Sequence, residues 1–192
     1  ETFLIRAADA EEVQRNGESP ESFVVRMAKL KAKTIGDQLR LGSQPEVSVL
    51  AADTEVVFQG QVMGKPDHPA HAVSLLERLQ GRTHQVISGI ALYQPGEGEP
   101  ATRVAVSEVT MRSLSPGEIA DYVASGDPMD KAGAYAIQND AYQLVRDFQD
   151  CFANVMGLPL CHCKLLFKES GLDVPEDVPV RCQASLAYDC PV

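Results

Sequence analysis

The stretch at residues 126–138, GDPMDKAGAYAIQ, carries two acids, one lysine, two glycines and one glutamine within thirteen positions. A segment this polar and this rich in glycine does not suit a plain element of the core, because charged side chains are rarely buried and glycine weakens regular structure. Its more apolar end, residues 134–138, is interpreted as a strand. The stretch is therefore predicted to carry chemistry as well as to join the fold.

Strands and helices alternate around this stretch. Ser19 and Pro20 stand in the order of an N-cap and a first helical residue, and Ser115 with Glu118 forms a capping-box pattern. Together with the hydrophobic periodicity, the alternation of strands and helices predicts an α/β domain with a mixed sheet. The predicted helices run over about 20–39, 67–81, 115–125 and 160–171, and the predicted strands over 2–6, 47–52, 85–93, 103–111, 134–138 and 142–148, with a hairpin at 56–63.

The composition limits the possible functions. The chain has 192 residues, of which 44% are hydrophobic and 23% charged, typical of one globular domain. Its net charge of −10 argues against nonspecific nucleic-acid binding, which needs a basic face. No apolar run is long enough to span a bilayer, and the first residues do not read as a signal peptide. A cytoplasmic protein with no nucleic-acid or membrane partner is expected.

All five cysteines lie in the last 42 residues. The odd number does not suit a disulfide framework, and Cys161-His162-Cys163 fits no common zinc spacing, so unreactive thiols are predicted. Residues 172–192 are rich in proline and show no clear period, so they are expected to form a loose C-terminal segment after a domain at residues 1–171.

Three further motifs accompany the opening stretch: ADTEVV at residues 52–57, GKP at 64–66 and NVMGLPL at 154–160. In this order, the four motifs resemble the Maf family of nucleotide pyrophosphatases, within the Maf/HAM1-like group. The resemblance covers about residues 3–166. It implies a single α/β domain with a central, mixed, twisted sheet flanked by helices.

Asp53 follows an apolar run, at a point where α/β proteins often place ligand-binding groups. A carboxylate there could bind Mg²⁺ or accept a proton from water, or it could simply cap a turn. The resemblance implies that Asp53 is the proton acceptor and that Thr54 helps to set substrate preference. It also implies an acid near Glu12, for metal binding or water positioning, and hence a metal site for Mg²⁺ or Mn²⁺ at Glu12 and Asp53.

Several basic residues are candidates for phosphate contacts. Lys31 lies in MAKLKA, which is similar to a lysine motif of the family, although from the residues alone a solvated helix face is the favoured interpretation. Lys65 is held between a flexible glycine and a stiff proline. The resemblance makes Lys31 and Lys65 catalytic and makes Arg82 and Lys131 phosphate-binding candidates, while His84 is more simply a core residue.

Gln138 ends the opening stretch, and its amide both donates and accepts hydrogen bonds, as reading a base edge requires. The resemblance links this glutamine to substrate selection. Together the motifs imply a metal-dependent hydrolase that cleaves dTTP, UTP or modified pyrimidine nucleotides to the monophosphate and pyrophosphate. The implied biology is nucleotide-pool cleaning with a link to septum formation and cell-division arrest, and a homodimer is a further implication.

One departure from the family stands out. Its members begin with a strand and a Ser-x-Ser-Pro-Arg-Arg loop that contacts phosphate, and this segment does not occur in the sequence. A shortened form of an enzyme is the favoured interpretation. A non-catalytic nucleotide-binding or division-regulating module is the alternative, and a metal-binding regulatory domain built on the cysteines is a third hypothesis.

Overall fold

A computed structural model of the chain describes residues 3–41, 46–94, 96 and 98–191. Five strands form one sheet in the order β2-β1-β3-β4-β5. The strands are β1 (Val49–Phe58), β2 (Gln61–Val62), β3 (Thr83–Tyr93), β4 (Ala101–Met111) and β5 (Val145–Asp147). The α-helices are α1 (Pro20–Leu41), α2 (Pro69–Leu79), α3 (Pro116–Ala124), α4 (Phe152–Val155), α5 (Leu160–Glu169) and α6 (Val178–Leu186).

The α/β class, with a central sheet flanked by helices, is confirmed. The sheet is not mixed, however, because each of the four strand pairings among the described residues is antiparallel. The connections explain this difference. The tight turn at Gln59 and Gly60 reverses the chain, so that the two-residue β2 runs antiparallel to β1. After α2, β3 also runs antiparallel to β1, and a short connection returns the chain into β4, antiparallel to β3.

Helix α1 covers one face of the sheet at very short range. Its Val24 packs with Ile87 of β3, and its Ala28 and Ala32 pack with Ala91. A Cβ atom added at Gly89 would lie 2.5 Å from the Val24 carbonyl carbon, so only glycine permits this approach. The close packing fixes the position of α1, and with it Lys31, over the middle of the sheet.

The opposite face is covered in two blocks. Near the β2 end, α2 and α3 pack on Val86, Val109 and Met111 in the largest hydrophobic cluster. Towards the other end, α5 packs on Ile90 and Leu92. The loops that connect these blocks pass over the middle of β1, where the candidate site lies.

Several predicted elements have different bounds in the structure. Residues 3–6 form no strand and are exposed. Residues 134–138 do not join the sheet either; they start at the last residue of a 3₁₀ turn, and Ala134, Tyr135 and Ala136 are buried. The strand predicted at 142–148 shortens to β5. The strand predicted at 47–52 instead continues as β1 to Phe58, because its alternate residues keep pairing with β3, so that Asp53 lies inside a strand and not beyond its end.

The C-terminal segment is more ordered than its sequence pattern predicts. Helix α6 packs on α4 and α5, and the hydroxyl of Tyr188 donates to the Phe148 carbonyl. Short apolar side chains here give little periodicity, although Cys182 is buried among them. The division at residue 171 stays a prediction.

The cysteines are free thiols, as predicted. Burial raises the pKa of Cys151 to about 11 and that of Cys163 to about 12, which keeps both thiols protonated at neutral pH. Within the described part of the chain, no helix is both long enough and apolar enough to cross a membrane.

Candidate active site

A cavity of about 340 Å³ opens along one edge of β1. Strand β2 pairs only with Val57 and Phe58, whereas β3 follows β1 from Val49 to Val57, so the edge near Asp53 borders the cavity. The volume is within the range of about 300–1,000 Å³ that ligand sites usually occupy. Of the residues predicted from the sequence, the cavity brings together Glu12, Lys31, Asp53, Thr54, Lys65, Lys131 and Gln138.

Lys31 joins two of the predicted acids. Its Nζ atom lies 2.6 Å from Asp53 Oδ1 and 2.5 Å from Glu12 Oε1. Burial opposes the charge on Lys31, but the hydrogen bonds to Asp53 and Glu12 outweigh it and raise the pKa of the ammonium. Lys31 is therefore a permanent cation at the floor of the cavity, and the interpretation as a solvated helix face is excluded.

The two acids differ in their surroundings. Asp53 is only 6% exposed, and burial raises the pKa of its carboxyl despite the contact with Lys31. Partial burial also opposes the ionisation of Glu12, but the ammonium of Lys31, with a smaller effect from Lys65, lowers its pKa overall. Glu12 is thus an ionised carboxylate at the rim of the cavity, and Asp53 is a more basic carboxylate inside it. A raised pKa is the property that a proton acceptor needs.

Glu55 is a third cavity acid, which was not among the residues predicted from the motifs. It lies two residues after Asp53 on the same face of β1, as strand periodicity requires. Burial, reinforced by the charges of Asp53 and Glu12, raises the pKa of Glu55 to about 7. The strand predicted from the sequence ends at residue 52, so it does not place Asp53 and Glu55 on one face of a strand, although both residues belong to the ADTEVV motif.

Two loops close over the open edge of β1. The N–H of Gly133 donates to the Gly64 carbonyl at 2.8 Å, which ties the GKP turn to the opening stretch. Both glycines have positive φ, and a Cβ at Gly133 would lie 2.9 Å from the Val56 methyl groups. These constraints hold Lys65, which is exposed, at the mouth of the cavity.

Lys131 lies on the same wall but is already paired. Its Nζ atom is 2.7 Å from Asp130 and 3.2 Å from Asp127, so the pairing considered from the sequence is present. The hydroxyl of Tyr122 donates to Asp127 and fixes the start of this loop. Gln138 also lines the cavity, with its side chain exposed.

The structure does not bring Arg82 to this cavity. Its guanidinium donates to the Arg78 carbonyl and lies over the Phe58 ring, 5.7 Å from the ring centroid. His84, two residues further along the chain, is a core residue, as expected, with Nε2 2.7 Å from the Tyr135 hydroxyl. Because Tyr135 lines the cavity, His84 supports one of its walls.

The buried His84 predicts an acid-sensitive fold. Burial lowers the pKa of its imidazole from 6.5 to about 4, so the folded state favours the neutral ring. Stability from this group is complete above pH 6.5 and is lost as the pH falls towards 4. We expect it to remove about 2–3 kcal/mol from the free energy of unfolding over that interval.

Urea unfolding of the protein and of His84→Gln at a series of pH values measures this effect. The difference between the two unfolding free energies should change between pH 7.5 and 4.5. His71→Gln, at the start of α2, serves as the control and should retain the pH dependence of the unsubstituted protein. If the free energy of unfolding depends on pH in the same way for His84→Gln and the unsubstituted protein, His84 is not the cause of the acid sensitivity.

A buried network of hydroxyl groups fixes the remaining wall. Thr54 Oγ1 lies 2.7 Å from Ser88 Oγ and 3.3 Å from the Gly157 carbonyl oxygen. Ser88 Oγ lies 3.3 Å from the Asn154 carbonyl oxygen, and the Asn154 side chain donates to Val86 and Ser107. The NVMGLPL motif thus holds the loop at Gly157 against Thr54.

The carboxylates suit a hard divalent cation. The described residues contain no group of three or more His, Cys, Asp or Glu side chains arranged to hold a metal ion. Asp53 Oδ2 and Glu55 Oε2 are nevertheless buried without a hydrogen-bond partner. Mg²⁺ usually takes one or two protein carboxylates and completes its shell with water and substrate phosphate, and these donors fit that pattern.

Comparison with known proteins gives a consistent match. The family model described as "Maf-like protein" matches residues 2–170. A protein of Nitrosomonas europaea is 39% identical over 89% of this chain and 82% of its own length, and one of Myxococcus xanthus is 42% identical over 90% and 84%. A protein of Methylococcus capsulatus is 43% identical over 88% and 81%. Each of the three is called a dTTP/UTP pyrophosphatase.

Proposed function

Since the chain belongs to the Maf family, we propose that it is a nucleotide pyrophosphatase that cleaves dTTP and UTP, or modified pyrimidine nucleotides, between the α and β phosphates. The products are the nucleoside monophosphate and pyrophosphate. Membership of the family argues against the third hypothesis, a regulatory domain built on the cysteines.

The observation that carries the proposal is the contact of Lys31 with Asp53 and Glu12 inside the cavity, with Lys65 at its mouth. Phosphoryl transfer depends on the positioning of a nucleophile and on the neutralisation of charge, and this arrangement offers groups for both. Three names of relatives supply the substrate class, which the residues alone do not.

In the proposed mechanism, Asp53 accepts the proton of the attacking water through its free Oδ2 atom. Its raised pKa makes it a stronger base than an exposed aspartate. Lys31 holds the carboxylate in place, and Lys65, with Lys131 as a further candidate, stabilises charge on the phosphates and on the departing pyrophosphate. A cation such as Mg²⁺ or Mn²⁺ would supply additional charge neutralisation. Glu12 and Glu55, whose Oε2 has no hydrogen-bond partner, would hold it, and Asp53, which the resemblance also assigns to the metal, would then be left to act as the base.

Gln138 is proposed to contact the base, because its exposed amide lies on the cavity wall and offers both a donor and an acceptor. We expect Gln138→Ala to change the ranking of nucleotides, with kcat/KM for dTTP and UTP falling about 10-fold or more and that for poorer substrates falling less. Stability should remain nearly unchanged, since the side chain is exposed. Gln143→Ala is a control, and an unchanged ranking in Gln138→Ala would refute the base-reading role.

The proposed activity is tested by pyrophosphate release from dTTP, UTP, CTP, GTP and ATP with Mg²⁺. Release that is greatest with dTTP or UTP supports the enzyme. A folded protein that binds these nucleotides without releasing pyrophosphate would instead support the non-catalytic nucleotide-binding module.

Removal of surplus or modified pyrimidine nucleotides is the proposed cellular role, with a cytoplasmic location to match. The homodimer and the link to septum formation stay predictions drawn from the family resemblance.

A further inference from the structure

Glu12 lies on a segment with no regular structure of its own. Residues 3–15 form neither helix nor strand, and the Glu12 side chain is 36% exposed, although its carboxylate reaches Lys31 at 2.5 Å. A long side chain on an irregular backbone loses conformational freedom in such a pair, and an exposed ion pair alone gains little in return. The backbone beside Glu12 therefore needs a further support.

Arg26 supplies that support from helix α1. Its Nη2 atom donates to the Val13 carbonyl at 2.8 Å, one residue along the chain from Glu12. The same guanidinium is held by Glu18, because Nε donates to Glu18 Oε1 at 2.6 Å and Nη2 donates to Glu18 Oε2 at 2.8 Å. A two-point pair of this kind fixes the orientation of the guanidinium as well as its position.

Glu18 itself is fixed by a tight turn. Its Oε2 atom accepts from the Arg15 amide at 3.0 Å, its own amide donates to the Arg15 carbonyl at 3.1 Å, and the Gln14 side chain donates to its carbonyl at 2.8 Å. Gly17 has a φ of 75° within this turn, a conformation that glycine adopts without strain. The hydrogen bonds from Arg26 and from the Arg15 amide lower the pKa of Glu18 to about 2, so this carboxylate stays ionised at neutral pH.

Both supports of the Glu12 segment come from one helix. Arg26 and Lys31 lie five residues apart on α1, about 7.5 Å along its axis. The first holds the backbone of Val13, and the second holds the carboxylate of Glu12. Because α1 packs closely on the sheet, these two contacts tie the position of the Glu12 carboxylate to the strands that form the cavity floor.

We propose that Arg26, held by Glu18, is a positioning residue that fixes the Glu12 carboxylate at the cavity rim as a preformed ligand for a divalent cation. The inference rests on the proposed function and adds a residue that itself lies outside the cavity. Without Arg26, the segment that carries Glu12 samples other positions, so forming the metal site costs conformational entropy. Loss of a partner that orients a metal ligand typically lowers metal affinity by about 10–100-fold.

Binding of Mn²⁺ alone to the full chain tests the inference without any catalytic step. The signal of free Mn²⁺ in electron paramagnetic resonance falls as the ion binds, which gives the dissociation constant. Glu12→Gln should weaken this binding by about 10-fold or more and so identifies the site that is measured. Arg26→Gln should also weaken it by about 10-fold or more, and Arg26→Lys by an intermediate factor, because one ammonium group cannot reproduce the fork of the guanidinium.

Arg103→Gln is the matched control. Arg103 pairs with Glu169 at 2.6 Å and is exposed to a similar degree as Arg26, but it lies on β4, outside the cavity. The substitution should lower the melting temperature about as much as Arg26→Gln does and leave the Mn²⁺ affinity unchanged. A loss of affinity in Arg26→Gln alone then reports the position of Glu12 and not the general stability of the fold.

A double variant shows whether Arg26 acts through Glu12. Arg26→Gln added to Glu12→Gln should weaken Mn²⁺ binding little further, because the carboxylate that Arg26 positions is already gone. The inference is overturned by unchanged affinity in Arg26→Gln or in Glu12→Gln, by an equal loss in Arg103→Gln, by a full further loss in the double variant, or by an unsubstituted protein without saturable Mn²⁺ binding. Pyrophosphate release from dTTP and UTP by the unsubstituted protein would in each case still decide the proposed function by itself.

Discussion

Asp53→Asn should lower kcat for dTTP and UTP hydrolysis by about 10³-fold or more while the protein stays folded, because general-base groups contribute on the order of 10²–10⁴. The amide keeps the size of the side chain and can still accept from Lys31, but it cannot take a proton from water. Asp53 is 6% exposed, and burial already disfavours its charge, so the neutral amide should cost little stability.

Pyrophosphate release and thermal unfolding on the same preparations measure the two effects. Asp37→Asn, an exposed aspartate on α1, is the matched control and should behave like the unsubstituted protein. An Asp53→Asn variant that keeps more than about a tenth of the activity would remove Asp53 as the base, since the loss would fall below the usual range for such groups.

Lys31→Met should reduce kcat/KM by about 10²–10³-fold, the effect of removing one preorganised charge from an active site. It should also destabilise the protein, because the buried Asp53 loses its partner at 2.6 Å and Glu12 loses its own at 2.5 Å. The pKa of Asp53 should rise further without the ammonium. The acid limb of the pH–activity profile should therefore move to higher pH.

Lys33→Met provides the comparison for this variant. Lys33 lies two residues along the same helix, pairs with Glu99 at the surface and does not border the cavity. Loss of activity in Lys31→Met without any shift of the pH profile would show that Lys31 contacts the substrate without acting on Asp53. Equal effects of the two substitutions would contradict a role for Lys31 in the site.

The sequence predicted the elements whose signals are local. The capping box at Ser115 and Glu118 and the proline at Pro20 placed the starts of α3 and α1 correctly. The candidate site residues came from the motif resemblance, and the structure brings all of them except Arg82 to the cavity. Arg82 follows a glycine at the end of α2, a position that suggested a contact with phosphate, but its guanidinium instead packs on the Phe58 ring.

Features that depend on distant partners were not predictable. Ser88 and Gly157 meet Thr54 only because β1, β3 and the loop after α4 converge in space. Glu55 was hidden because the length of β1 is set by its pairing with β3 and not by its own apolar run. Residues 134–138 resemble a strand in composition, yet β4 pairs with β5 instead, and Tyr135, Ala136 and Gln138 lie on the cavity wall.

The most direct test of the central claim is hydrolysis of dTTP or UTP in water enriched in ¹⁸O, with mass spectrometry of both products. Attack of water on the α phosphorus predicts one ¹⁸O atom in the nucleoside monophosphate and none in pyrophosphate. Label in the pyrophosphate, or cleavage that yields the diphosphate and inorganic phosphate, would contradict the account.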